Sequence, residues 1–162
     1  MRGRTAVAVA ALLALVLAAR SAVARNEADY VEDVAGWPDI QYERITDLAI
    51  SADGRFVYGA GYRDRAVATF ARDTTTGRLT YVEKTDARAM DSAKIVLSPD
   101  QRFLYVTSEY YGTITVLPRD PVTGRLTESP TNQVSHTLWQ PLALAISPDG
   151  ANVYAGSAFH PV

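Results

Sequence analysis

One short pattern recurs three times along this chain and constrains its fold more than any other feature. It reads Ile50-Ser51-Ala52-Asp53-Gly54, then Leu97-Ser98-Pro99-Asp100-Gln101, then Ile146-Ser147-Pro148-Asp149-Gly150, with the serines 47 and 49 residues apart. A tyrosine follows each serine at one fixed offset, at Tyr58, Tyr105 and Tyr154. A second landmark keeps the same period: Arg72-Asp73-Thr74-Thr75-Thr76-Gly77-Arg78-Leu79-Thr80 matches Arg119-Asp120-Pro121-Val122-Thr123-Gly124-Arg125-Leu126-Thr127, 47 residues on. Two independent landmarks with one period define a structural repeat.

Each repeat reads as four strands. In the first they are strand a (45–51), strand b (56–61), strand c (66–72) and strand d (78–84), rich in β-branched and aromatic residues. Strand a is the most apolar, which is the pattern of a strand buried on both faces. The a–b connection carries turn formers: Asp53, Asp100 and Asp149 fold a carboxylate back onto the backbone, and Gly54 and Gly150 accept positive φ. In the c–d connection Gly77 and Gly124 fit the left-handed position of a short hairpin loop. Repeats of this length with four strands are propeller blades. The expected fold is therefore all-β, a partial β-propeller of about two and a half four-stranded blades (45–87, 91–135 and an incomplete 140–162). Tyr30-Val31-Glu32 resembles Tyr81-Val82-Glu83, so segment 25–44 is expected to hold a lone outer strand. Two blades and half of a third do not close a ring, which needs at least about four. This predicts a piece of a longer protein, or chains that associate through open blade edges.

The N-terminus predicts the route the chain takes. Arg2 and Arg4 precede an unbroken apolar run of 14 residues (6–19), followed by Ala22-Val23-Ala24. That is the layout of a secretory signal peptide over residues 1–24, and the run is shorter than a spanning helix requires. A secreted, extracytoplasmic protein is expected, with no membrane attachment after cleavage. Beyond residue 24 there are 13 basic and 18 acidic side chains. Such an acidic balance gives no electrostatic footprint for nucleic acid. The chain has no cysteine, which removes disulfides, thiolate metal sites and a cysteine nucleophile. No phosphate loop, dinucleotide fingerprint or nucleophile elbow occurs, and no cofactor or metal is expected.

Phe70-Ala71-Arg72-Asp73 through Gly77-Arg78-Leu79-Thr80-Tyr81-Val82-Glu83, with Ser147-Pro148-Asp149-Gly150 ahead of Val153-Tyr154, resembles the lactonase-type β-propeller repeat. Tyr105-Val106-Thr107-Ser108 is similar to the namesake of the related YVTN repeat proteins. The resemblance covers most of residues 30–162 and includes 6-phosphogluconolactonase-like proteins. It implies a seven-bladed ring in a complete protein, and hydrolysis of sugar lactones as the associated chemistry. The matching residues are turn and core positions, which every blade needs whatever the propeller does. The His-Pro-His element that fungal lactonizing members carry ahead of strand a is here Trp139-Gln140-Pro141-Leu142.

Candidate functional residues lie in the d–a and b–c connections, which share one end of the blades and vary between repeats while the other end is constant. Tyr62, Asp64, Tyr110, Tyr111 and Trp139 are candidates for ligand contact. Lactone hydrolysis needs a base to activate water and a donor or cation for the oxyanion. Glu109 or His136 fits the first role, Arg63 or Arg88 the second. Simpler readings stand beside these. His136 is a lone solvated histidine, Arg63-Asp64-Arg65 a solvated loop with a weak surface ion pair, and Tyr110-Tyr111 ordinary strand-edge tyrosines. The leading expectation is a binding module for a small molecule, glycan or protein. The alternatives are a lactonase-like hydrolase and an inactive fragment of a propeller.

Overall fold

The a–b turn is built the same way three times, and it sets the blades. In the computed structural model Ser51 Oγ donates to Asp53 Oδ1 at 2.6 Å, Asp53 Oδ1 accepts from Arg55 N at 3.1 Å, and Ser51 Oγ accepts from Phe56 N at 3.0 Å. Ser98, Asp100, Arg102 and Phe103 repeat those contacts at 2.6, 3.1 and 3.0 Å. Ser147 and Asp149 do so with the amides of Ala151 and Asn152. The backbone passes through positive φ at Gly54 (70°) and Gly150 (74°), and at Gln101 (63°) between them. A glutamine pays for that conformation with its side chain: Gln101 Nε2 donates to Ser98 O at 3.0 Å and Oε1 accepts from Ala52 N at 2.8 Å.

The structure describes residues 44–62, 65–88, 94–128, 133–135, 138 and 140–157, all within one compact unit, Glu32–Val162. The expected signal segment, the expected lone outer strand and the last residues of the third repeat lie outside them. Ten strands are present among the described residues: β1 (Ile45–Ile50), β2 (Phe56–Gly61), β3 (Ala66–Arg72), β4 (Leu79–Asp86), β5 (Ile95–Leu97), β6 (Phe103–Ser108), β7 (Thr113–Pro118), β8 (Gln133–Ser135), β9 (Pro141–Ile146) and β10 (Val153–Ser157). They form antiparallel sheets in the orders β1-β2-β3-β4, β5-β6-β7-β8 and β9-β10. The fold is all-β, two four-stranded blades and part of a third.

The two extra residues in the second repeat can be located. Arg72 pairs with Leu79, and Arg119 bridges Leu126 in the same way. Ala68 pairs with Lys84, whereas its counterpart Thr115 pairs with Gln133, two residues later than the period demands. The insertion therefore lies between Leu126 and Gln133. The register slips by one further residue within β8, where Ile114 pairs with Ser135.

Burial follows blade stacking. Phe56, Tyr58 and Ala60 alternate along β2 and share a face with Val67 of β3. With Ala87 they pack against Ile95, Leu104, Val106, Leu117 and Leu126 of the second blade. Burying each of the larger side chains stabilises by about 1.5–3 kcal/mol. Val57, Ala68 and Phe70 form a second cluster on the opposite face of the first blade, where Phe70 meets the Tyr81 ring edge-on at 6.0 Å.

The expectation that strand a is buried on both faces is corrected for the first blade. All of β2 is buried, while β1 is only half-buried, with Leu48 49% and Ile50 59% exposed. Leu48 and Ile50 pair with Gly59 and Val57, so they share the face turned away from the second blade. The matching Ile95 of β5 is 6% exposed, because it faces the first blade. Apolarity marks strand a as a strand made for two-sided cover; the cover itself comes from a neighbouring blade.

Candidate functional site

At the turn end the first two blades are clamped together. Arg119, at the end of β7 and 5% exposed, donates from Nε to the hydroxyl of Tyr58 and from Nη1 to Gln101 O at 2.8 Å. The Tyr58 hydroxyl in turn donates to Gly124 O at 2.8 Å. The Arg119 guanidinium lies 5.5 Å from the Phe56 ring centre and 5.6 Å from that of Tyr58, so two aromatic faces supply part of the solvation that a buried cation loses. Burial pushes the Tyr58 phenol up, against the pull of Arg119. Gly124, at φ 73°, sits directly over Phe56: a Cβ there would fall 2.2 Å from the ring. Further links join the blades. Asp47 Oδ2 accepts from Ile95 N at 3.0 Å, Arg55 Nη2 donates to Pro121 O at 3.1 Å, and Glu83 pairs with Arg125 at 2.8 Å and accepts from Leu126 N at 3.1 Å.

The carboxylates at this end are occupied in turn closure. Asp53 is held well below the ordinary range, first by the Ser51 hydroxyl and then by Arg55. Asp73 is lowered by the amides of Thr76 and Thr75, and Asp120 by the amide of Val122 and the hydroxyl of Thr123. Asp100 and Asp149 are lowered by Ser98 and Ser147. Gly77, the counterpart of Gly124, lies at φ 81°. Among the described residues no three metal-ligating side chains converge.

The opposite end carries the loop residues. Two arginines there adopt left-handed backbone, Arg65 (φ 56°) and Arg88 (φ 49°), which is uncommon outside glycine and asparagine. Local bonds hold them: Arg65 O accepts from Ala87 N at 2.8 Å, and Arg88 N donates to Asp86 Oδ1 at 2.7 Å. The first bond brings the b–c loop of the first blade beside the loop that leads to the second. The Arg65 guanidinium stands 5.8 Å from the ring centre of Tyr111, in the b–c loop of the second blade. Tyr110 and Tyr111 meet edge to face at 5.0 Å, and Tyr110 is 66% exposed. Gly112 (φ 60°) lets the chain pass close to Leu138, whose amide donates to Gly112 O at 3.1 Å; a Cβ would lie 2.0 Å from Leu138 O. Tyr62 lies under Arg44 at 5.1 Å.

Arg65, Arg88, Tyr110 and Tyr111 are thus gathered across the first two blades. Glu109 is half-buried beside Tyr110 in the chain, and among the described residues it makes no hydrogen bond or ion pair with Arg88. Arg63, Asp64, His136 and Trp139 lie outside the described residues. Arg65 is one of the b–c loop residues that the sequence offers, whereas Arg119, which the sequence marks only as part of a turn motif, is the clamp between the blades. The 47-residue recurrence of arginine at the end of strand c, opposite a recurring tyrosine in strand b, is the signal that points to Arg119.

Exposed tyrosine edges beside guanidinium groups that pair with no carboxylate among the described residues make a surface suited to flat polar or anionic ligands. This surface sits on a repeat scaffold whose turns and blade contacts match a known group. The family model for lactonase, seven-bladed β-propeller, matches residues 30–139 and again 83–159, and the chain belongs to that family. Among solved structures, a protein from Lactobacillus plantarum is 29% identical with a TM-score of 0.60, over 68% of this chain and 33% of that one. A candidate 6-phosphogluconolactonase from Bacteroides fragilis is 26% identical with a TM-score of 0.53, over 59% of this chain and 26% of that one. The periplasmic gluconolactonase of Pseudomonas aeruginosa shares the fold at 24% identity and a TM-score of 0.52, over 67% of this chain and 27% of that one. The chain therefore spans about a quarter to a third of the length of these structures. Comparison with curated proteins returns no match.

Proposed function

We propose that this chain is a secreted propeller module that binds a small polar ligand, glycan or protein through the end carrying Tyr110, Tyr111, Arg65 and Arg88. The observation that carries the reading is the Arg65–Tyr111 contact at 5.8 Å beside an exposed tyrosine pair. It joins loops of two blades, and among the described residues no carboxylate pairs with the guanidinium of either arginine. The repeated turns at the other end have their carboxylates engaged internally, which leaves them little to offer a ligand. The test is titration of the protein with a panel of glycans, aldonolactones and aldonic acids, followed by tyrosine fluorescence and by NMR. Binding that is lost in Tyr111→Ala and Arg65→Ala supports the reading. A panel member that binds equally well to both variants contradicts it. Secretion is tested by sequencing the N-terminus of the exported protein, which should begin near Arg25.

A second reading, lactonase-like hydrolysis of sugar lactones, is favoured by family membership and by the name of the Bacteroides fragilis neighbour. In it Glu109 activates water and Arg88 stabilises the oxyanion. Lactone opening followed by acid release at constant pH tests it: hydrolysis above the uncatalysed rate, abolished in Glu109→Gln, is expected. An unchanged rate on adding the protein rejects it.

A further inference from the structure

Three exposed arginines stand along the loop end of the first blade. Arg44 immediately precedes β1, Arg65 immediately precedes β3, and Arg88 follows β4 by two residues. Neighbouring strands are spaced by about 4.8 Å, so the outer two backbone sites lie roughly 14 Å apart. Among the described residues none of the three guanidiniums pairs with a carboxylate. Two acids of this end are engaged by backbone: Asp86 Oδ1 accepts from Arg88 N at 2.7 Å, and Asp47 Oδ2 from Ile95 N at 3.0 Å. Two of the arginines lie over tyrosine rings, Arg44 over Tyr62 at 5.1 Å and Arg65 over Tyr111 at 5.8 Å. A ring under one face of a guanidinium steadies it and leaves the N–H rim for a planar anion. Beside them Tyr110 is 66% and Tyr111 42% exposed. The Arg65–Tyr111 contact lies between two blades that are both described.

Resting on the loop-end binding proposed above, we infer that the ligand is an acidic glycan. A short run of uronate sugars lies from the Tyr110–Tyr111 pair across the end of the first blade. A single small anion meets one or two guanidiniums, whereas a row of three along one rim matches repeated charge. Carboxylate suits the row because a guanidinium takes it through two parallel N–H···O bonds. Sugar is the carrier because an exposed tyrosine offers an apolar ring face with a polar hydroxyl at its edge. The C–H face and hydroxyl rim of a pyranose ring have the same division. Beyond residue 24 the chain carries 13 basic and 18 acidic side chains. It therefore has no long-range attraction for polyanions in general, and recognition is left to these local contacts.

Titration of the full chain with tetragalacturonate, followed by tyrosine fluorescence and NMR, tests this. The methyl ester of the same oligomer keeps the sugar chain and removes its charge. The acid form should bind about tenfold tighter than the ester, and added salt should narrow the gap. Arg65→Gln and Arg88→Gln should each weaken the acid form about tenfold. Both side chains are exposed, so each variant should keep its strand signal in circular dichroism. Should Arg65→Gln lose it, Arg44→Gln replaces it in the same experiment. Equal binding of acid and ester, lost in Tyr111→Ala, overturns the inference and keeps loop-end binding. A galacturonate monomer that binds as tightly as the tetramer also overturns it, by making this a one-anion site. Tighter binding of a polyglutamate or of a sulfated oligosaccharide of similar length overturns it in favour of an acidic peptide or of sulfate. Binding of neither acid nor ester overturns it too, and leaves the loop end to the other ligands of the panel. Acid-form binding unchanged in Arg65→Gln, Arg88→Gln and Tyr111→Ala overturns this inference and the loop-end reading together.

Discussion

The Nε of Arg119 donates to the hydroxyl of Tyr58, and through this bond the third strand of one blade holds the second strand of its neighbour. The hydroxyl passes the interaction on to Gly124 O at 2.8 Å. Tyr58→Phe keeps the ring and removes both bonds, leaving a buried guanidinium N–H and a carbonyl without their partner. A loss of about 1–3 kcal/mol is expected, read as a lower midpoint in urea unfolding with an unchanged slope. A double-mutant cycle with Arg119→Met should show coupling between the two sites; additive effects would mean that the bond contributes nothing.

Gly124 and Gly54 separate backbone strain from blade contact. Both have positive φ, 73° and 70°. A Cβ at Gly124 meets the Phe56 ring at 2.2 Å; at Gly54 the nearest atom is Arg72 Nη1 at 3.6 Å. Gly54→Ala should cost the left-handed penalty alone, about 1–2 kcal/mol. Gly124→Ala should add about 1–3 kcal/mol of overpacking, and Phe56→Leu should recover part of that in the double variant. Equal losses at the two glycines would show that Phe56 yields freely.

Acid should weaken the fold through its turns. Asp53, Asp73, Asp100, Asp120 and Asp149 are all held below the ordinary value of 3.8 by hydroxyl, amide and guanidinium donors. A carboxyl whose folded value is depressed stabilises fully above its unfolded value, and that stabilisation is lost as pH falls through the folded one. The melting temperature should be flat down to about pH 5 and then decline below about pH 4. Asp53→Asn should melt lower at neutral pH and show a shallower acid decline than the native chain. A variant with the native acid profile would remove Asp53 from the account.

The loop end should be separable from the fold. Tyr111→Ala removes an exposed ring and an exposed cation–π contact, for which about 0.5–1 kcal/mol is the expected scale. Its urea midpoint should therefore stay close to native while ligand responses disappear. A large stability loss would make Tyr111 a structural residue.

Legibility in the sequence followed the physics of each feature. The bounds of β2 and β3 coincide with those read from residues 56–61 and 66–72, because tight turns with serine, aspartate and glycine punctuate them. The sequence pattern puts strand d over 78–84, and it runs over Leu79–Asp86; its far end is set by pairing with β3, which no turn residue marks. Burial of strand a does not follow from its apolarity, because apolarity records the environment a strand is made for, and that environment is supplied by a neighbouring blade. Arg119 looked like half of a turn motif. Its role depends on Tyr58, 61 residues earlier, and that proximity comes from blade stacking. Arg65 and Tyr111 meet for the same reason, through loops 46 residues apart in the chain. Gln101 breaks the glycine pattern of its turn, and its side-chain bonds to Ser98 O and Ala52 N explain the exception.

Hydrogen exchange tests the central claim, that the first two blades are one unit clamped across their shared face. Amides of β2, β3, β6 and β7 should exchange slowly and with a common opening free energy, and those of β9 and β10 should exchange faster, since their side chains are mostly exposed. Tyr58→Phe should accelerate the first group together. Separate opening free energies for β2–β3 and β6–β7, or acceleration confined to the first blade, would contradict the account.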